Sequence, residues 1–447
     1  DRLEDSPRKA LQLASVIGRE FTVSLLDRIS DLKGQLQKPL QDLKVLELIY
    51  ERSLFPELAY MFKHALTQDV AYSSLLIQRR KDLHRLVAMA IEELYAERLT
   101  EYYEMLAYHY ERGEVWEKAF NYMLRAGDKS QQASANHGAI AQFNRALEIS
   151  AKLTPTVDPA ALLTLYLGKG AVHKILSENH ASVEAYQNAL AVARQTGDQF
   201  REVQALALMG FSFLWAHEFE KCLECASQAK ALALERKYND LLALSLFVSG
   251  CTLAFTGKVV EAIRDFEEAL THSKEAGDYS TEAMVKELLG LLNNWLGDYP
   301  KAFEFHTQSI ASALAHDFQF INLLNTFSQG LTQCARGEYD QAIAILVEGL
   351  ALSHRLGDKI FQCRILNSLG WVYGELYHLE AGIRYNSEAL ELSYKVGDPE
   401  IIRNAEINLG DYYLLLGDLE QAQRYLEKVY RDSQQRGKWG EEWMKWR

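Results

Sequence analysis

Cys222 and Cys225 stand three residues apart, the spacing at which two thiolates can share a zinc ion or close a redox-active disulfide. No second pair accompanies them, and both fall in a helical pattern, so they read as packing cysteines. Arg79, Arg80, Lys81, His84 and Arg85 form a basic cluster, the kind of helix face that meets either phosphate or a neighbouring acidic domain. Gly168-Lys169-Gly170 lacks the GxxxxGK[ST] frame that aims backbone N–H groups at a nucleotide, so it cannot serve as a P-loop. Acidic pairs are plentiful, but they sit at i,i+4 spacing on solvated helix faces. No Ser, His or Cys is backed by a motif that would activate it. The sequence therefore offers no catalytic constellation and no metal site.

The elements that would position any site are helices. Of 447 residues only 7 are Pro, while 48% are hydrophobic and 24% charged, which favours long uninterrupted helices. No apolar run reaches the roughly 18 residues of a membrane span, and no basic-then-apolar leader opens the sequence, so a cytoplasmic protein without membrane contact is expected. Five cysteines, an odd and sparse set, suit a reducing compartment. The sequence opens on Asp1 rather than Met, which suggests a piece of something longer. Charge is uneven: residues 1–98 hold 15 basic and 15 acidic side chains, and the remainder 33 and 46. An acidic surface repels phosphate backbones, which argues against a nucleic-acid partner for the larger part.

A fixed period organises that part. Gly170, Gly210, Gly250, Gly290, Gly330, Gly370 and Gly410 recur every 40 residues. Twelve positions after each comes a small residue (Ser182, Cys222, Ala262, Ala302, Ala342, Gly382, Ala422). Seven further on comes another in six of seven cases, Val429 being the exception. Close helix crossings need small side chains at such places. Gly257, Gly297, Gly337 and Gly417 are placed to end the first helix of a pair, and the Gly-Asp steps at 197/198, 277/278, 357/358 and 397/398 to end one pair and cap the next. These offsets resemble the tetratricopeptide pattern with longer helices, since six residues beyond the usual 34 add roughly 9 Å. The long-helix arrays of the maltose-regulon activator type are similar. Gly127, Ala139 and Ala146 repeat the offsets upstream, and Pro155 and Pro159 mark a bend. Gly437 begins a truncated repeat in which Trp446 takes the consensus Trp place, next to Trp439 and Trp443.

The resemblance implies a concave groove on the first helix of each repeat, at three before, one after and five after the landmark Gly. Those offsets give Phe211, Trp215, Phe247, Phe255, Leu291, Trp295, Phe327 and Trp371, with Asn294, Arg364, Asn367 and Asn404 nearby. Two readings stay open: the rings grip a protein or peptide, or the long helices bury them between repeats.

Residues 1–98 do not share the repeat. Ser6-Pro7 starts a helix, further helices are expected at about 22–30, 36–47, 64–77 and 79–97, and Leu48 to Leu54 with Ala59 to Phe62 read as a two-stranded wing around Pro56. LQLASVIGREF (11–21), LIYERS (48–53), FKHALTQDVAYSSLL (62–76) and YMLRAGDKSQQASANHGAIAQFNRALEI (122–149) resemble the C-terminal part of bacterial STAND-type signalling ATPases. In that family a winged-helix segment follows the nucleotide-binding domain and precedes a tetratricopeptide sensor, often behind a class III adenylate/guanylate cyclase or a kinase. The resemblance implies that His64 senses the bound ADP phosphate in the whole protein, that ATP or ADP belongs to an upstream domain, and that this chain needs no cofactor of its own.

The expected architecture is an all-α, right-handed superhelix. It comprises a winged-helix-like coupling domain at 1–98, degenerate repeats at 99–156, seven 40-residue repeats at 157–437 and the start of another at 438–447. The expected function is a non-enzymatic sensor whose partners are a protein or peptide in the groove and its own upstream ATPase domain. A free-standing scaffold and a DNA-binding regulator using the wing are the alternatives.

Overall fold

A computed structural model describes residues 3–32, 34–53, 57–133, 135–153, 157–176 and 178–435. Pro56, Pro155, Gly437, Trp439, Trp443 and Trp446, singled out above, lie outside the described residues. The chain is a helical solenoid-type protein that divides into two compact units, Asp1–His217 and Glu218–Arg447.

The first unit opens with α1 (Asp5–Ile17), β1 (Glu20–Thr22), α2 (Val23–Ile29), α3 (Gln37–Val45), β2 (Ile49–Ser53) and β3 (Ala59–Phe62). The strands form one antiparallel sheet in the order β1-β3-β2, with Glu20 opposite Met61 and Ile49 opposite Phe62. Two strands fall within the segments expected to be extended, and β1 is an addition. Its three residues occupy what the sequence pattern gives to the approach of a helix, which begins at Val23 once Thr22 accepts a hydrogen bond from Leu25 N. Then come α4 (Ala65–Ser73), α5 (Ile77–Leu94), a 3₁₀ turn (Ala96–Tyr102), α6 (Tyr103–Arg112), α7 (Trp116–Gln132), α8 (Asn136–Ser150), α9 (Pro159–Ile175), α10 (Asn179–Thr196) and α11 (Gln199–Trp215). One apolar core runs from Ala10 in α1 through Phe62, Val87 and Tyr110 to Phe143 and Val172, so it does not break at residue 98.

The second unit is a run of antiparallel hairpins: α12 (Phe219–Arg236), α13 (Asn239–Phe255), α14 (Val259–Ala276), α15 (Tyr279–Trp295), α16 (Tyr299–Ala315), α17 (Gln319–Ala335), α18 (Tyr339–Leu356), α19 (Lys359–Glu375), α20 (Leu379–Val396), α21 (Pro399–Leu415) and α22 (Leu419–Gln435). Each helix packs on its sequence neighbours, and α13, α15, α17, α19 and α21 also touch one another in succession.

Two devices build the hairpins. Gly197, Gly277, Gly357 and Gly397 end second helices with positive φ, which an L side chain adopts only at a cost, and the next Asp caps the following helix. Asp198, Asp278 and Asp358 each accept a hydrogen bond from the backbone N–H three residues on, at 3.0 Å. Asp358→Ala is expected to cost about 1 kcal/mol, read as a lower urea midpoint, because the first turn of α19 loses that acceptor. The landmark glycines are the second device. A Cβ on Gly250 would lie 2.6 Å from the Phe266 ring, one on Gly290 2.5 Å from His306, and one on Gly370 2.2 Å from Asn386 Nδ2. Gly170, Gly250, Gly290, Gly330, Gly370 and Gly410 are thus slots, each receiving the side chain sixteen positions later, on the partner helix of its own hairpin.

Candidate functional site

The first helices of the repeats carry the residues expected in a groove, and the structure separates them by offset. Five after the landmark Gly, Trp215, Phe255 and Trp295 are the last residues of α11, α13 and α15, and they are 53%, 60% and 59% exposed. Each therefore sits at the end of its own first helix, where the chain turns. Phe255 stacks there on Phe219, the first residue of α12, with ring centroids 6.3 Å apart.

Three before the Gly, the side chains are enclosed. Phe247 is 6% exposed and packs against Phe266, so it belongs to the core. Phe327 is half-buried and meets the Phe361 ring edge-on at 5.7 Å. One after the Gly, Phe211, Leu291 and Trp371 are half-buried. In the first unit the Lys174 ammonium lies 4.6 Å above the Phe211 ring, and burial lowers that lysine's pKa.

The polar residues of the same helices form a chain in the second unit. Asn367 and Asn408 both donate to Asn386 Oδ1, at 2.8 and 3.1 Å, and Asn386 donates to Gly382 O. Tyr412 donates to Gly370 O at 3.0 Å. Arg364 bridges Asp398 and Glu400 at 3.7 and 3.6 Å, while Asn294 and Asn404 are half-buried. Sequence reasoning missed Asn386, Asn408, and above all Glu287. The last stands three before Gly290, is 3% exposed, and accepts a hydrogen bond from Ser328 Oγ at 3.0 Å. Burial pushes its carboxyl up to about 7, and Ser328 offsets only part of that. A carboxylate in a column that otherwise holds Ala207, Phe247, Phe327, Asn367 and Ile407 was the available signal.

In the N-terminal segment His64 is the N-cap of α4, one residue beyond Lys63, which follows β3. Its ring is exposed and makes no capping bond, while its carbonyl accepts from Thr67 N at 3.1 Å. The basic cluster is not one face. Lys81 pairs with Glu114 at 2.8 Å, Arg85 donates to Gly113 O at 2.6 Å, and His84 is buried between Tyr72 Oη at 2.9 Å and His109 Nδ1 at 2.8 Å. Desolvation holds His84 down at about 4, with Arg112 adding to it, and His109 at about 3.

Cys222 and Cys225 are buried and not joined in a disulfide, Cys222 lying 2.8 Å from Thr252 Oγ1, and burial pushes Cys225 up to about 11. Among the described residues no group of three or more metal-ligating side chains gathers anywhere. Gly168-Lys169-Gly170 lies inside α9. No helix of the described residues is long and apolar enough to cross a membrane.

A tetratricopeptide repeat family model matches residues 407–431, the second half of α21 and most of α22. Among solved structures, the chain is similar to a Signal Transduction ATPase with Numerous Domains (STAND) protein with a tetratricopeptide repeat sensor from Pyrococcus horikoshii. The likeness has a TM-score of 0.60 at 13% identity and covers 96% of this chain but 63% of that one. The apo quorum sensor NprR from B. thuringiensis gives 0.57 at 14% identity, over 76% of this chain and 99% of that one. A Rap protein complexed with competence and sporulation factor gives 0.52 at 14% identity, over 79% and 97%. Together with the 40-residue hairpin period these findings make the fold a tetratricopeptide-type helical array.

Proposed function

We propose that this chain is the sensing and coupling portion of a bacterial, cytoplasmic signal-transduction ATPase. In this reading the repeats hold a protein or peptide, and the N-terminal segment passes occupancy to a nucleotide-binding domain outside the chain. One observation carries the reading: the likeness to the STAND protein covers 96% of the chain at a TM-score of 0.60, while those to the Rap complex and NprR cover 79% and 76%. The order α1-β1-α2-α3-β2-β3 supports a winged-helix assignment for that segment. The Rap protein's complex with competence and sporulation factor supports a ligand laid along the first helices, near Phe327, Arg364, Asn367 and Trp371. A partner there acts by differential affinity, favouring one arrangement of the hairpins over another. ATP or ADP, and a class III cyclase or kinase effector, belong to the part beyond this chain.

The test uses the whole protein. His64→Ala is expected to speed ADP release about ten-fold, the worth of one lost charge-assisted hydrogen bond to phosphate, followed with a fluorescent ADP analogue. Unchanged release, or a gene with no nucleotide-binding domain beside this segment, leaves the scaffold alternative in its place.

A further inference from the structure

We infer that a cavity of about 380 Å³ in the first unit, lined by residues of α4, α5, α6, α7 and α8, is a binding site for a small organic phosphate. Its size lies within the range of small-ligand pockets and exceeds what a phosphate group alone would fill. Arg80, Lys81, Arg112 and Arg145 line it together with Glu111 and Glu114, so cations outnumber carboxylates by two in a chain whose net charge is -13.

The excess resides on two guanidinium groups. Lys81 pairs with Glu114 at 2.8 Å, and Arg145 pairs with Glu111 and Glu148. Arg80 instead donates to two neutral carbonyls, Leu75 O at 2.9 Å and Ser73 O at 2.8 Å, and stacks 4.8 Å over Tyr72. Arg112 is exposed and faces the Tyr108 ring at 5.5 Å. Among the described residues neither takes part in an ion pair, which is an unusual state for two guanidinium groups on one cavity. Such groups recognise phosphate oxygens in bidentate fashion.

The backbone adds to the same field. Ile77 and Trp116, the first residues of α5 and α7, both line the cavity, and no side chain caps either helix. Their free N–H groups and the positive ends of the two helices supplement the guanidinium charge. This site lies outside the 40-residue repeats at 157–437, and His64 is not among its lining residues.

Calorimetric titration of the chain as it stands with inorganic phosphate, adenosine monophosphate and adenosine, against sodium chloride at matched ionic strength, tests the assignment. Both phosphates are expected to bind, with the monoester tighter, and adenosine to fail. Arg112→Gln is expected to weaken the monoester about ten-fold, and Glu114→Gln, which adds net positive charge, to tighten it. Opposite directions in two folded variants exclude general damage. Binding of the bare phosphate as tight as that of the monoester shows that the anion alone is the ligand and overturns the organic part of the assignment. An effect reproduced by chloride, or variants indistinguishable from wild type, overturns all of it.

Discussion

Gly250→Val is expected to destabilise the protein by about 3 kcal/mol or more, the range of severe core overpacking. The first added carbon already falls 2.6 Å from a carbon of the Phe266 ring, and that ring is fully buried. Its displacement would carry α14 away from α13, because the ring has no empty space to enter. Gly257→Ala, seven residues later, is the internal comparison. Its φ is +81° but an added Cβ meets nothing within 4 Å, so only backbone strain of about 1 kcal/mol is expected. Urea denaturation followed by circular dichroism separates the two mechanisms: equal losses would sink the slot argument.

Glu287→Gln is expected to stabilise the protein at and above neutral pH and to remove the pH dependence that the buried carboxyl is expected to give the native protein. The carboxyl is buried, its pKa raised from 4.5 to about 7. Between those values the folded chain holds a proton that the unfolded chain has released. Stability from this residue is therefore fully present below about 4.5 and lost as pH rises toward about 7. The shift corresponds to something on the order of 3 kcal/mol at this site. The amide keeps an acceptor for Ser328 and carries no charge, so the variant's melting temperature should stay flat over that window while wild type declines. Parallel profiles would mean that the carboxylate is solvated or paired in a way the structure does not contain.

The period, the hairpin ends and the helix caps were legible because one residue type marks most of them, although Lys237 and Asp317 take the positive φ at two hairpin ends. Only Gly fits a slot against a buried ring, and only Gly takes positive φ at no cost before a capping Asp. The slot's occupant was not legible. Tyr186, Phe266, His306, Leu346, Asn386 and Leu426 share the position, yet they range from phenol and phenyl through imidazole and isobutyl to carboxamide. The strand β1 escaped notice because three residues cannot display an alternating pattern, and its pairing with β3 lies about forty residues away. Of the candidate groove, the spacing selects the first helix of each repeat but not which way each ring faces. With first helices of seventeen residues, the position five after the Gly falls at the helix end, where Trp215, Phe255 and Trp295 are exposed at a turn. Phe247 and Asn367, one helical turn before the Gly, are enclosed instead. Glu287 and the asparagine chain were hidden for the same reason, since a polar residue in an apolar column is read as surface until its neighbours are known.

A chain of near-identical hairpins invites mistaken identity, because any first helix has a surface that resembles every other, and pairing with the wrong neighbour is how such chains go astray. The diversity of the slot occupants works against this. An imidazole stands where the next hairpin has an isobutyl group and the one after it a carboxamide, at His306, Leu346 and Asn386. His306 meets Asn325 at 3.3 Å, whereas Asn386 meets Asn367 and Asn408. Exchanging two hairpins would strand those polar groups without partners. Each carries an address, and the order of the array is written in its core.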